Sequence, residues 1–161
     1  MRRLAICGTL LLLGACGGSS NAVHLPETYK ATLTAAGEFP PVTTTPVGTA
    51  TGTFTNDGTR TTYTITGSGF STAIVASHIH LTTATGAAGG VIVPFSVAGS
   101  TQNAVNITGS FTEADILVAP SLGRKMTYDE LTAQMRSGNI YANVHTSKNP
   151  GGEAAGVLKL Q

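Results

Sequence analysis

From Tyr29 onward apolar and polar residues alternate with a period of two. Tyr29, Ala31, Leu33 and Ala35 share one face, and Lys30, Thr32 and Thr34 the other, as in a half-buried strand. Residues 38–46, EFPPVTTTP, are predicted to be a connection, because proline has no N–H for a central ladder. Residues 48–55 and 61–66 read as two strands joined at Asn56-Asp57-Gly58, where glycine accepts the positive φ of a tight hairpin. Further strands are predicted at 77–81, 90–97 and 104–111. One helix follows: Thr127 and Glu130 have capping-box spacing, Leu131 and Met135 lie four apart, and Ser137-Gly138 provides the stop. Residues 139–144 and 154–160 form the last two strands around a turn-rich SKNPGGE. These elements predict an all-β Greek-key sandwich or barrel with one short helix before its last two strands.

The same periodicity orients the histidines. In 75–82, Val75, Ser77, Ile79 and Leu81 form the more apolar face, so His78 and His80 are predicted to point away from the core, about 7 Å apart. In 140–145, Ile140, Ala142 and Val144 face inward and Tyr141, Asn143 and His145 outward. If these two strands are neighbours, at a spacing of about 4.8 Å, the three imidazoles can converge on one ion. Imidazole suits copper and zinc, and three histidines leave a coordination position open. His78, His80 and His145 are therefore the candidate metal ligands, with Tyr141, Asn143 and Glu153 as the residues expected to orient them. The competing reading is a polar outer face whose histidines are hydrogen-bonding scaffold.

The ends change the picture from an isolated domain to an exported one. Arg2 and Arg3 precede an apolar run over residues 4–13. That run is too short for a transmembrane helix of about 20 residues but fits a secretory leader. It closes on Leu13-Gly14-Ala15-Cys16, which resembles the lipobox of bacterial lipoproteins, in which the cysteine is lipidated. The expected organisation is a signal peptide at 1–15, lipidated Cys16 and a flexible tether at 16–27, and a β domain at 28–161. This implies export and anchoring in the bacterial cell envelope, at the outer membrane or cell surface. Removal of Arg2 and Arg3 takes the formal net charge from +1 to −1. The remaining lysines and arginines are scattered, so nucleic acid is not an expected partner.

The landmarks Glu38-Phe39-Pro40-Pro41-Val42, His78-Ile79-His80, Gly138-Asn139-Ile140-Tyr141, Asn143-Val144-His145-Thr146 and Asn149-Pro150-Gly151-Gly152-Glu153 resemble, in order, those of the CHRD domain, named for chordin. The resemblance spans nearly all of the mature chain. It departs where an arginine often follows the Gly-Gly-Glu run, since Ala154-Ala155-Gly156 stands there, and residues 123–126 look longer than usual. In chordin such domains belong to a secreted growth-factor antagonist, a role that does not carry over to a small lipoprotein.

The predicted Greek-key fold is superoxide-dismutase-like or immunoglobulin-like, and a more distant similarity is to Cu/Zn superoxide dismutase. There the equivalents of His78, His80 and His145 are copper ligands. The chain offers no bridging histidine, no zinc-loop histidine-and-aspartate cluster, no structural cysteine pair and no arginine after the NPGG turn, so dismutase activity is not expected. Nor does it carry a nucleophile elbow or a phosphate-cradling glycine loop. Two functions stand: a lipid-anchored, non-catalytic copper- or zinc-binding module, and a surface module that binds an envelope protein or glycan.

Overall fold

The computed structural model describes residues 24–43, 47–82 and 89–161. The leader, Cys16 and most of the tether lie outside the described residues. The alternating segments become the strands of two antiparallel sheets. The first contains β1 (Glu27–Leu33), β2 (Thr49–Asn56), β3 (Arg60–Ser68), β6 (Ala104–Thr112) and β11 (Lys159–Leu160), in the order β11-β1-β2-β3-β6. The second contains β4 (Ile74–Leu81), β5 (Val91–Phe95), β9 (Ile140–Thr146) and β10 (Ala154–Val157), in the order β10-β9-β4-β5. Each sheet has two edges and neither closes on itself, so the all-β architecture is a sandwich and not a barrel.

Between the sheets, inward residues of both interlock, and each fully buried large apolar side chain contributes about 1.5–3 kcal/mol. Tyr63 stacks on Phe95 with ring centroids 4.1 Å apart, and Phe54 and Phe111 complete this aromatic centre. The β2–β3 hairpin turns at Asp57-Gly58, with Gly58 at φ +95°. Helix α1 (Tyr128–Arg136) starts as the sequence predicts: Thr127 Oγ1 accepts from Glu130 N at 3.2 Å, and Glu130 accepts from Thr127 N at 2.8 Å. Leu131 and Met135 are buried. Tyr128 docks the helix by donating to Asn56 Oδ1 at 3.1 Å and pairing with Thr61 Oγ1 at 2.7 Å.

Three local expectations change. Val75 is 49% exposed while Ile74 is buried, because the β4–β9 register shifts between Ile74 and Ala76. Such a bulge reverses side-chain parity, and the inward face resumes at Ser77, Ile79 and Leu81. The final segment is two strands: it pairs with β9 through β10, buries Leu158, and crosses to pair with β1 through β11. Three strands therefore follow the helix. A short hairpin of β7 (Val118–Ala119) and β8 (Arg124–Lys125) also precedes it, too short to show a period in the sequence.

Candidate metal centre

β4 and β9 are direct neighbours, with His78 opposite Asn143, His80 opposite Tyr141 and Ala76 opposite His145. The inward residues of both strands pack in the core, and this pins the histidines to the other face of the sheet. Ring centroids lie 5.0 Å apart for His78–His80 and 4.5 Å for His78–His145. One potential ligand atom from each imidazole lies within 4.8 Å of the others. The nearest pair is His78 Nδ1 and His80 Nε2, at 3.1 Å.

The face is outward but covered, which periodicity did not anticipate. All seven residues of β9 are buried, and His80 and His145 are each only 8% exposed. Phe39 lies over Tyr141 with centroids 5.4 Å apart. Tyr141 stacks in parallel on His80 at 4.8 Å. His80 Nδ1 donates to Gly89 O at 2.8 Å, and His145 Nδ1 donates to Pro150 O at 2.9 Å.

These carbonyls fix the tautomers, because a carbonyl oxygen only accepts. His80 and His145 are each protonated at Nδ1 and carry a lone pair at Nε2. His145 Nε2 is buried with no hydrogen-bond partner. His78 Nδ1 lies between two acceptors, His80 Nε2 at 3.1 Å and Asn143 Oδ1 at 3.0 Å. Burial and its two imidazole neighbours push His78 down to about 4, against its donated hydrogen bond to Asn143 Oδ1. Burial lowers His80 and His145 as well, opposed by their backbone carbonyl partners. The rings are therefore neutral at neutral pH, the form that ligates a metal. The orphaned His145 lone pair and the all-nitrogen donor set fit a metal ion. His78, His80 and His145 would hold it, and its chemistry would be that of a Lewis acid with an open position.

The residues expected to orient the ligands divide. Tyr141 and Asn143 touch imidazoles as described. Glu153 hydrogen-bonds to none of them. It accepts from Gly48 N at 3.0 Å, Ser71 N at 2.8 Å, Thr146 Oγ1 at 2.6 Å, Asn149 Nδ2 at 2.9 Å and the Ser71 hydroxyl. Burial alone would raise its pKa, but these donors bring it down to about 2. It clamps the 147–153 turn to the start of β4, so its position supports the loop that holds His145.

Sequence reasoning passed over Glu38 as a chemical group, although it opens the EFPPV run. It is buried, and its carboxylate lies against Gly152, where a Cβ would overlap it. Burial raises its pKa, and the nearby Asn143 side chain opposes the rise. Its only signal in the sequence is an acidic residue entering a proline-rich connection.

A family model described as the CHRD domain matches residues 29–158. No curated protein and no solved structure matches the chain.

Proposed function

The chain belongs to the CHRD domain family, and from that premise we propose that it is a non-catalytic metal-binding module, carried to the bacterial cell envelope and held there by lipid on Cys16. The ion is copper or zinc, and the ligands are His78, His80 and His145. One observation carries this reading: three neutral imidazoles converge under cover, and the Nε2 of one of them has no partner. A scaffold histidine in a covered face is normally satisfied at both nitrogens, because an unpaired buried polar atom costs about 1–3 kcal/mol.

Titrating the full chain in detergent with Zn(II) and Cu(II), beside His80→Ala, tests the site. At a hundredfold excess over Kd, binding adds about 2.7 kcal/mol to stability, a rise in Tm of roughly 10 °C. An unchanged Tm, or a shift that His80→Ala retains, would refute the reading. Lipid attachment is tested separately, by incorporation of labelled fatty acid into the wild type and its loss in Cys16→Ser.

A second reading is favoured by the groove of about 400 Å³ between Phe39, Pro40, Pro41 and Val42 on one side and Pro150, Gly151 and Gly152 on the other. In it the chain binds an envelope protein or glycan through these loops, and the histidines only brace the sheet. Chelator-independent recovery of one partner from envelope extracts, with no metal-dependent change in Tm, would select it.

A further inference from the structure

Glu38 and Glu153 both sit at the turn over residues 147–153, and they are treated in opposite ways. Glu153 collects five hydrogen bonds. Glu38 Oε1 is buried without a partner, and His145 Nε2 is the other such side-chain atom among the described residues. The two orphans belong to one neighbourhood. Gly152 packs on the Glu38 carboxyl, and Pro150, two residues earlier in the same turn, accepts from His145. Asn143 stands between Glu38 and the imidazoles: its side chain acts on the carboxyl, and its Oδ1 lies 3.0 Å from His78 Nδ1.

No cation is hydrogen-bonded or ion-paired to Glu38 in the described residues. The titratable groups on the elements packed around it are Tyr141 and His145 on β9, His78 and His80 on β4, and Lys148 and Glu153 in the closing turn. Burial pushes its pKa up to about 7, against the hydrogen bonds from Phe39 N and Asn143. Without a positive partner the carboxyl is therefore substantially protonated at neutral pH. Three neutral imidazoles supply no negative charge to a divalent ion, and an uncompensated buried charge is costly.

We propose that Glu38 is the counter-charge of the histidine centre: a divalent cation bound by His78, His80 and His145 expels the Glu38 proton to solvent, leaving a buried carboxylate beside it. The inference rests on the metal reading above. In this step M²⁺ and a neutral carboxyl become bound M²⁺, a carboxylate and one released H⁺. Glu38 acts through charge and through Asn143, so it is a positioning residue and not a ligand. By linkage, whatever the cation does to the acidity of Glu38, Glu38 ionisation does to cation affinity.

The test is calorimetric titration of the full chain in detergent with Zn(II), in two buffers of different ionisation enthalpy. Wild type and Glu38→Gln are compared at about pH 6 and about pH 8.5. Wild type is expected to release close to one proton per zinc at the lower pH and almost none at the higher. Glu38→Gln is expected to bind zinc on the order of tenfold more weakly at the higher pH and to lose the difference in proton release between the two pH values. Zinc binding with the wild-type proton count retained in Glu38→Gln overturns the inference and leaves the metal site standing. No zinc binding by the wild type overturns both. If Glu38→Gln does not fold, infrared difference spectra of the wild type decide: zinc must remove a protonated-carboxyl band at about pH 6, and its persistence in the zinc complex refutes the proposal.

Discussion

The outer faces of the two sheets are built from similar strands and end in opposite environments. On the five-stranded sheet β2 and β3 alternate buried and accessible residues, and Thr51, Thr53, Thr64, Thr66 and Thr108 form cross-strand neighbours open to water. On the four-stranded sheet the outward residues of β9 are Tyr141, Asn143 and His145, and all are buried. Three stretches cover them, through Phe39, the carbonyl of Gly89, and the turn containing Pro150 and Gly152. Polar groups taken from water need partners. Among the described residues the exceptions are Glu38 Oε1 and His145 Nε2, and both side chains meet the 147–153 turn. A threonine face is what a solvated strand adopts by propensity; a covered polar face with two orphans needs another explanation, and the proposed cation with its counter-charge would provide one.

The largest difference between the two faces is expected at Glu153. Its replacement by alanine strips five donors of their acceptor under the cover, and a loss of about 3–5 kcal/mol is expected in urea denaturation. A loss below about 1 kcal/mol would mean that the cover is held by something else. Gly152→Ala follows. Its φ of +125° and the overlap of a Cβ with Glu38 lead to an expected cost of about 2 kcal/mol or more. Gly123→Ala, at φ +67° with nothing within 4 Å, should cost about 1 kcal/mol.

The covered face should also dominate the pH dependence of Tm measured with chelator present. His78, depressed from 6.5 to about 4, contributes stability present above its unfolded pKa and lost as pH falls through about 4. Glu38, raised from 4.5 to about 7, has the opposite sign. Its contribution is complete below its unfolded pKa and lost as pH rises through about 7. Glu38→Gln should therefore remove the decline on the alkaline side and leave the acid side unchanged. The smallest effect belongs to the open sheet, where Thr64→Ala should alter stability by no more than about 0.5 kcal/mol. A larger loss there would erase the contrast between the two faces.

Much of this was legible in the residues themselves. Alternation located the long strands, the Thr127–Glu130 spacing located the helix start, and the parity of 78, 80 and 145 put three imidazoles on one face. Parity failed at Val75, because a bulge inserts a residue without leaving a mark in composition. Glu153 was placed beside the histidines by its nearness in the chain, yet its carboxylate turns toward Ser71 and Gly48, which are 82 and 105 residues away. Glu38 was passed over because its partners, Gly152 and Asn143, are equally remote.

Residue order sets the local terms: which residues alternate, where a cap or a glycine ends an element, and which side chains leave the core. These depend on neighbours a few positions apart. That β4 lies beside β9, that loops close over their outer face, and that one carboxyl oxygen and one imidazole nitrogen are left there without partners is a matter of tertiary structure. Such outcomes depend on the order of strands and the path of loops. The same polar residue is solvated on one sheet and desolvated on the other, according to what the rest of the chain lays across it.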